Sequence, residues 1–309
     1  MICWHVNRMK LTSENYYSVE ADREYMSCSQ YQDFLLCEAR TMAMLDGRYT
    51  PPETEALVVG NYLHTALEGE KAHNAFCEQH FDEIFKTKVD KKTGEIIITG
   101  KYAPFAKADE MISVCYKDPL IKSLIDMPGE NEVIMTGELF GMPWKIRLDK
   151  YIEDKRLIID WKTTADMNKT EYNPAIGERE SFIESLGYMM RAAVYTEIER
   201  QNKEQSTDAD FVIVAVSKQE PPDKGAFLLN HRQRYDWELE QIKKRIGLIA
   251  AIKRGEVAPK RCGQCDYCRA TKVLKKIVPY YTLNPKFRDE KEEEMDYVST
   301  ADMEITQET

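Results

Sequence analysis

Apolar residues recur at helical spacing through the first third of the chain. Over residues 27–46, Phe34, Leu35, Cys37, Ala39, Met42 and Leu45 fall on one helical face, with Ser29 placed to cap it. Pro51-Pro52 breaks the pattern, and a second helix is predicted over 56–80, with Leu63, Leu67 and Phe76 apolar and His64 between them. Residues 86–102 read as strand and turn around Lys92-Thr93-Gly94, and 105–124 returns to helical spacing before Pro128-Gly129. The period then falls to two, predicting strands at 132–140, 143–152 and 157–162. A long helix over 181–201, a buried strand over 210–217 (Phe211, Val212, Ile213, Val214, Val216) and an amphipathic helix over 235–254 complete the pattern. There is no internal repeat. Helices before and after a central sheet predict one α/β domain over 1–285.

Two of the strands carry candidate chemistry. If Asp154-Lys155 is a two-residue hairpin turn, residues whose numbers sum to 309 lie opposite each other, and Asp149 faces Asp160. Directly opposed Cβ atoms stand ~4.5–5.5 Å apart, close enough for two carboxylates to share one ion. Lys162 shares the Asp160 face, and Ile146, Leu148, Ile152, Leu157, Ile159 and Trp161 form one continuous apolar surface on the other. Two such carboxylates repel unless a cation lies between them, and oxygen ligands suit Mg²⁺ or Mn²⁺ better than zinc. The ion would polarise a phosphoryl oxygen and generate hydroxide, with Lys162 stabilising the attacked phosphate or orienting the water. Taken alone, an Asp…Asp-x-Lys pattern is more often a solvated strand face with a salt bridge.

Composition removes some classes and leaves others open. The chain has 309 residues, 43% hydrophobic and 31% charged, with no apolar run of the ~18–20 residues a membrane helix needs. Residues 1–10 lack a signal-peptide pattern, so a cytoplasmic setting is expected. The net charge of −10 argues at first against a polyanionic partner. It is unevenly spread: residues 286–309 hold nine acids against three bases, and residues 260–276 hold six bases against Asp266. The acidic stretch reads as a disordered or loosely helical tail that opposes non-specific DNA binding or contacts a partner protein, and the basic segment suits a DNA backbone. Of eight cysteines, Cys262-Gly-Gln-Cys265-Asp-Tyr-Cys268 form a run that needs a fourth ligand to close a zinc or iron–sulfur site. Cys77 and Cys115 read as plain buried residues.

Several motifs together resemble the PD-(D/E)XK nucleases, in the branch of RecB-type and RecE-like phage or prophage exonucleases (exodeoxyribonuclease VIII-like). Asp149 with Asp160-Trp161-Lys162 is similar to the catalytic Asp and (D/E)xK elements. Gly60-Asn-Tyr-Leu-His64 resembles the GxxxH helix, and Arg191-Ala-Ala-Val-Tyr195 the QxxxY helix, with Arg where the family has Gln. The stretch from Tyr25 to Phe34 looks like the entry helix, and the resemblance spans about residues 25–275. It implies a restriction-endonuclease-like core, a mixed central sheet flanked by helices. It also implies Mg²⁺-dependent phosphodiester hydrolysis, with His64, Asp149, Asp160 and the Trp161 carbonyl holding the ion, and Tyr188, Arg191 and Tyr195 at the DNA. The implied substrate is duplex DNA ends in phage-type recombination, beside a phage single-strand annealing protein. An endonuclease or single-strand nuclease of the same fold, or a non-catalytic metal-stapled DNA-binding protein, are the alternatives, and a homo-oligomeric ring would explain processivity. The same relatives hold a [4Fe–4S] cluster by one early and three late cysteines, which implies Cys37 with Cys262, Cys265 and Cys268; Cys28 is the alternative fourth ligand, and the tighter spacing here leaves zinc open.

Overall fold

The computed structural model describes residues 8–174, 177–274, 277 and 280–283; the predicted acidic tail lies outside the described residues. The chain opens with α1 (Val19–Glu24), α2 (Cys28–Leu36), α3 (Glu38–Leu45), α4 (Glu55–Glu68), α5 (Glu70–Gln79) and α6 (Phe81–Ile84). An antiparallel hairpin, β1 (Phe85–Val89) and β2 (Ile96–Lys101), turns at the predicted place, where the Asp90 carboxylate accepts from the Lys92 and Thr93 amides. Helices α7 (Ala103–Lys117) and α8 (Pro119–Asp126) precede strands β3 (Glu130–Leu139), β4 (Met142–Ile152) and β5 (Leu157–Thr164). A small hairpin, β6 (Thr170–Asn173) and β7 (Glu178–Ser181), leads through α9 (Phe182–Ser185) and α10 (Tyr188–Asn202) to β8 (Asp210–Ser217), β9 (Lys224–Leu229), α11 (Arg232–Lys253) and α12 (Asp266–Ala270).

Four predicted helices are each broken in two, for different reasons. The first breaks at Cys37, whose backbone is extended (φ −164°) and whose sulfur accepts from the Arg40 amide to start α3. Its N-cap is Ser27, which accepts from the Gln30 amide, rather than Ser29. The second breaks at Gly69, at a φ of +147° that side-chain-bearing residues avoid. In the third, Asp118 caps a new helix whose first residue is Pro119. The fourth breaks at Gly187 (φ +72°), where a Cβ would collide with the Gln32 amide.

The central sheet has the order β3-β4-β5-β8-β9. Only β5 and β8 pair in parallel, with α10 as the crossover. The β4–β5 pairs Lys150↔Ile159, Tyr151↔Ile158 and Ile152↔Leu157 follow the predicted register. The connection differs: instead of a two-residue turn, Glu153–Lys155 form a 3-10 turn and Arg156 is left-handed (φ +48°). Arg156 is tied down by the fully buried Glu199 and by the Thr207 carbonyl at 2.8 Å, which accounts for the wider loop.

The single apolar face expected of this hairpin is also corrected. Ile146 and Leu148 join Tyr151 and Ile158 in the cluster containing Met26, Tyr31, Met190 and Ile198. Ile152, Ile159 and Trp161 instead pack with Leu63, Leu67, Met111 and Ile121 of the α4–α7–α8 layer. Alternation slips by one at Asp149-Lys150: Lys150, like Ile152, turns toward the α8 side, where its Nζ donates to the Ile125 carbonyl. Opposite the slip, Glu132 is left-handed (φ +57°) between the pairs Asn131↔Lys150 and Val133↔Leu148. The β4–β5 ladder ends at Lys150↔Ile159, so the strands part where Asp149 and Asp160 stand.

Candidate active site

That parting opens the floor of a cleft of about 650 Å³. Its walls come from α2, α3, α4, β4, β5 and α10, and Tyr17, His64, Arg147, Asp149, Lys162 and Arg191 all line it. Each reactive side chain is held by a rigid element. Helix α4 delivers His64, whose Nε2 is 2.8 Å from Asp149 Oδ2. The same Oδ2 accepts from the Trp161 amide at 2.9 Å, across the gap between the strands. Lys162 Nζ stands between the two aspartates, 2.6 Å from Asp160 Oδ2 and 3.7 Å from Asp149 Oδ2. Asp149 and Asp160 therefore do not simply face each other; the lysine bridges them.

The electrostatics separate the two carboxyls. Burial alone would push Asp149 up, but Lys162, His64 and the Trp161 amide together hold it well below the usual carboxylate range. Burial raises Asp160, the Lys162 ammonium opposes it, and the Asp149 charge adds to the rise. His64 is desolvated, which disfavours its charge, yet Asp149 carries the balance and raises its pKa. Asp160 is 1% exposed, and among the described residues its oxygens have no hydrogen-bond partner beyond the charged groups of Lys162 and Arg191 at ion-pair distance.

A divalent cation fits these donors. Atoms of His64, Glu132 and Asp149 lie within 4.8 Å of one another, and the Asp160 oxygens are buried with no hydrogen-bond partner among the described residues beyond Lys162 and Arg191. The carboxylate donors suit Mg²⁺ or Mn²⁺. Glu132 was not foreseen; it brings Oε1 to 3.7 Å from His64 Nδ1 while its other oxygen pairs with Arg147. Arg147 was missed as well, although period two places it on the Asp149 face; its guanidinium lies 4.7 Å from the ring of the 69% exposed Tyr17.

The remaining predicted residues are placed as follows. The Trp161 ring is core, and its carbonyl accepts from Lys162 Nζ at 3.1 Å. Tyr188 lies 5.6 Å from Lys162 Nζ. Arg191 stacks 5.7 Å from the buried Tyr195 ring, with Nη1 3.8 Å from Asp160 Oδ1. Among the described residues the Arg191 guanidinium has no hydrogen-bond acceptor, so its donors are free for a ligand in the cleft. The sulfurs of Cys37, Cys262, Cys265 and Cys268 come within 4.8 Å of one another in a separate cluster. Cys28 is elsewhere, in the main core near Arg191, with its thiol pushed up to about 12 by burial.

The fold has known relatives. A crystal structure of "Putative exonuclease" from Eubacterium rectale is 36% identical, covering 90% of this chain and 99% of that one at a TM-score of 0.78. A second solved structure, SSO0001, is 14% identical over 77% of this chain and 93% of that one, at a TM-score of 0.24. No curated protein matches the chain. Residues 27–271 match the family model described as a PDDEXK-like domain of unknown function. With that match, the mixed five-stranded sheet and the Asp…Asp-x-Lys floor, the chain belongs to the PDDEXK-like family and has the core of a PDDEXK-type nuclease.

Proposed function

We propose that the protein is a divalent-metal-dependent deoxyribonuclease that digests duplex DNA from its ends. The observation that carries this reading is the convergence of His64, Asp149 and Lys162 in one cleft, with the buried Asp160 against Lys162. His64, Asp149 and Asp160, with Glu132 beside them, would hold Mg²⁺ or Mn²⁺. When bound, such an ion supplies Lewis acidity and lowers the pKa of water. Lys162, fixed by both aspartates and the Trp161 carbonyl, presents its ammonium where negative charge grows on the attacked phosphate. Arg191 offers unpaired donors to a phosphate oxygen, and the solvent-exposed Tyr17 ring is a platform for a base. Attack from the ends is supported by the name of the Eubacterium rectale relative. A place in phage-type recombination, beside an annealing protein, rests on the RecE-like motifs.

The test is digestion of end-labelled linear duplex, closed circular duplex and single-stranded DNA with Mg²⁺ or Mn²⁺, using Lys162→Ala as the control. Loss of linear duplex from its ends with circles intact is expected. Cut circles would make the protein an endonuclease, and cleavage of single strands alone would change the substrate. No cleavage of any substrate would reject the enzymatic reading.

A further inference from the structure

We propose that Cys37, Cys262, Cys265 and Cys268 bind a single zinc ion, and not an iron–sulfur cluster. The sulfur spacing decides it. Cys37 Sγ is 3.6 Å from Cys268 Sγ, Cys262 Sγ is 4.0 Å from Cys268 Sγ, and all four sulfurs lie within 4.8 Å. Four thiolates at the ~2.3 Å zinc–sulfur distance on one tetrahedral ion stand about 3.8 Å apart. In a cubane each thiolate sits on a different iron, which spreads the sulfurs to roughly 6 Å. A disulfide would need about 2 Å, and these thiols are free.

The surroundings resist expansion to the wider spacing. Cys37 and Cys268 are buried against Ala39, with Tyr267 packed beside them. The Ala39 amide donates to the Lys260 carbonyl at 3.0 Å, and the Lys260 amide to Glu38 at 2.7 Å. Moving the sulfurs apart by two ångströms would break this clamp between α3 and the cysteine segment. Three sulfurs accept backbone amides: Cys37 from Arg40 at 3.5 Å, Cys262 from Cys265 at 3.3 Å and Cys265 from Cys268 at 3.4 Å. Such bonds offset the charge of four thiolates on one dication, whose binding releases the thiol protons to solvent. The ion would join α3 to α12, helices more than two hundred residues apart, and needs no assumption about nuclease activity.

The experiment is metal and acid-labile sulfide analysis of full-length protein purified anaerobically, followed by exchange with cobalt(II). One zinc per chain is expected, without iron or sulfide, and cobalt should give the visible bands of a tetrahedral thiolate site. Cys37→Ser should lose the ion, whereas Cys28→Ser should keep it. Iron and sulfide near four per chain with absorption at ~400 nm would overturn the proposal, and so would protein without bound metal. If Cys37→Ser does not fold, the wild-type analysis and the cobalt spectrum still decide.

Discussion

Replacing Lys162 with methionine, a chain of similar length without the charge, tests whether one ammonium keeps the buried Asp160 carboxylate ionised beside the half-buried Asp149. Asp160 is 1% exposed, and Lys162 lies 2.6 Å from it. Stripped of that partner, Asp160 will take up a proton in the folded state, while in the unfolded state it ionises near its ordinary value of 3.8. Holding one carboxyl protonated at pH 7 costs at most about 4 kcal/mol, since each pH unit above the unfolded value is worth ~1.4 kcal/mol. Burial already raises Asp160 in the wild type, so the added cost is about 2–4 kcal/mol. For a chain of this size that is a fall in Tm of roughly 3–6 °C. The sign with pH follows from proton counting. The folded variant binds the extra proton, so its deficit is widest at pH 7–8 and closes as pH falls toward 4. Thermal melts followed by circular dichroism at several pH values, in buffer dialysed free of Mg²⁺ and Mn²⁺ without chelator, measure both effects. Added Mn²⁺ should stabilise the variant more than the wild type, because the cation takes over the role of the ammonium. Equal melting temperatures at pH 7, with parallel pH profiles, would refute the reasoning.

Three further outcomes follow from the same geometry. Because Asp149 raises the His64 pKa, protons compete with metal at this pair; Mn²⁺ affinity by calorimetry should weaken about tenfold per pH unit below that raised value, and equal affinity at pH 6 and 8 would contradict the assignment. Arg191→Gln removes a guanidinium that has no hydrogen-bond acceptor among the described residues, only the long approach to Asp160, so kcat should fall ~10–100-fold while Tm holds and Mn²⁺ binds no more weakly; a large drop in Tm would mark Arg191 as structural. Glu199 is fully buried between Arg156 and the Tyr151 hydroxyl at 2.7 Å, so Glu199→Leu should cost about 3–5 kcal/mol in denaturant unfolding without changing activity per folded molecule; a loss below about 1 kcal/mol would show that Arg156 finds solvent instead.

Much of the fold was legible because strand pairing is counted in single residues. Once the ends of β4 and β5 were set, pairing by numbers that sum to 309 gave the observed register even though the turn was misread. Helix breaks were less legible. Cys37 interrupts a helical pattern with no proline or glycine; its reason lies in Cys268, 231 residues away. The order His64, Asp149, Asp160, Lys162, Arg191 placed all five residues in or beside one cleft. What local pattern hides is the slip at Asp149-Lys150, which sends neighbouring side chains into different layers, and the left-handed backbone at Glu132, which turns an acid at the start of a strand toward His64. Both are fixed by contacts across the sheet, beyond the reach of periodicity.

The clasp between α3 and α12 bears on the order in which the working molecule is made. His64, Glu132, Asp149, Asp160, Lys162 and Arg191 have all been synthesised once α10 is complete. The part of the wall made by α2 and α3 has partners that are translated later. Lys253 Nζ donates to the Asp22 carbonyl and to Gln30 Oε1, each at 2.9 Å, and Cys268 meets Cys37. A nascent chain thus carries its reactive groups well before it has a closed groove to present them in. The α2–α3 wall of the groove is thereby completed only after residues 253–268 have been added.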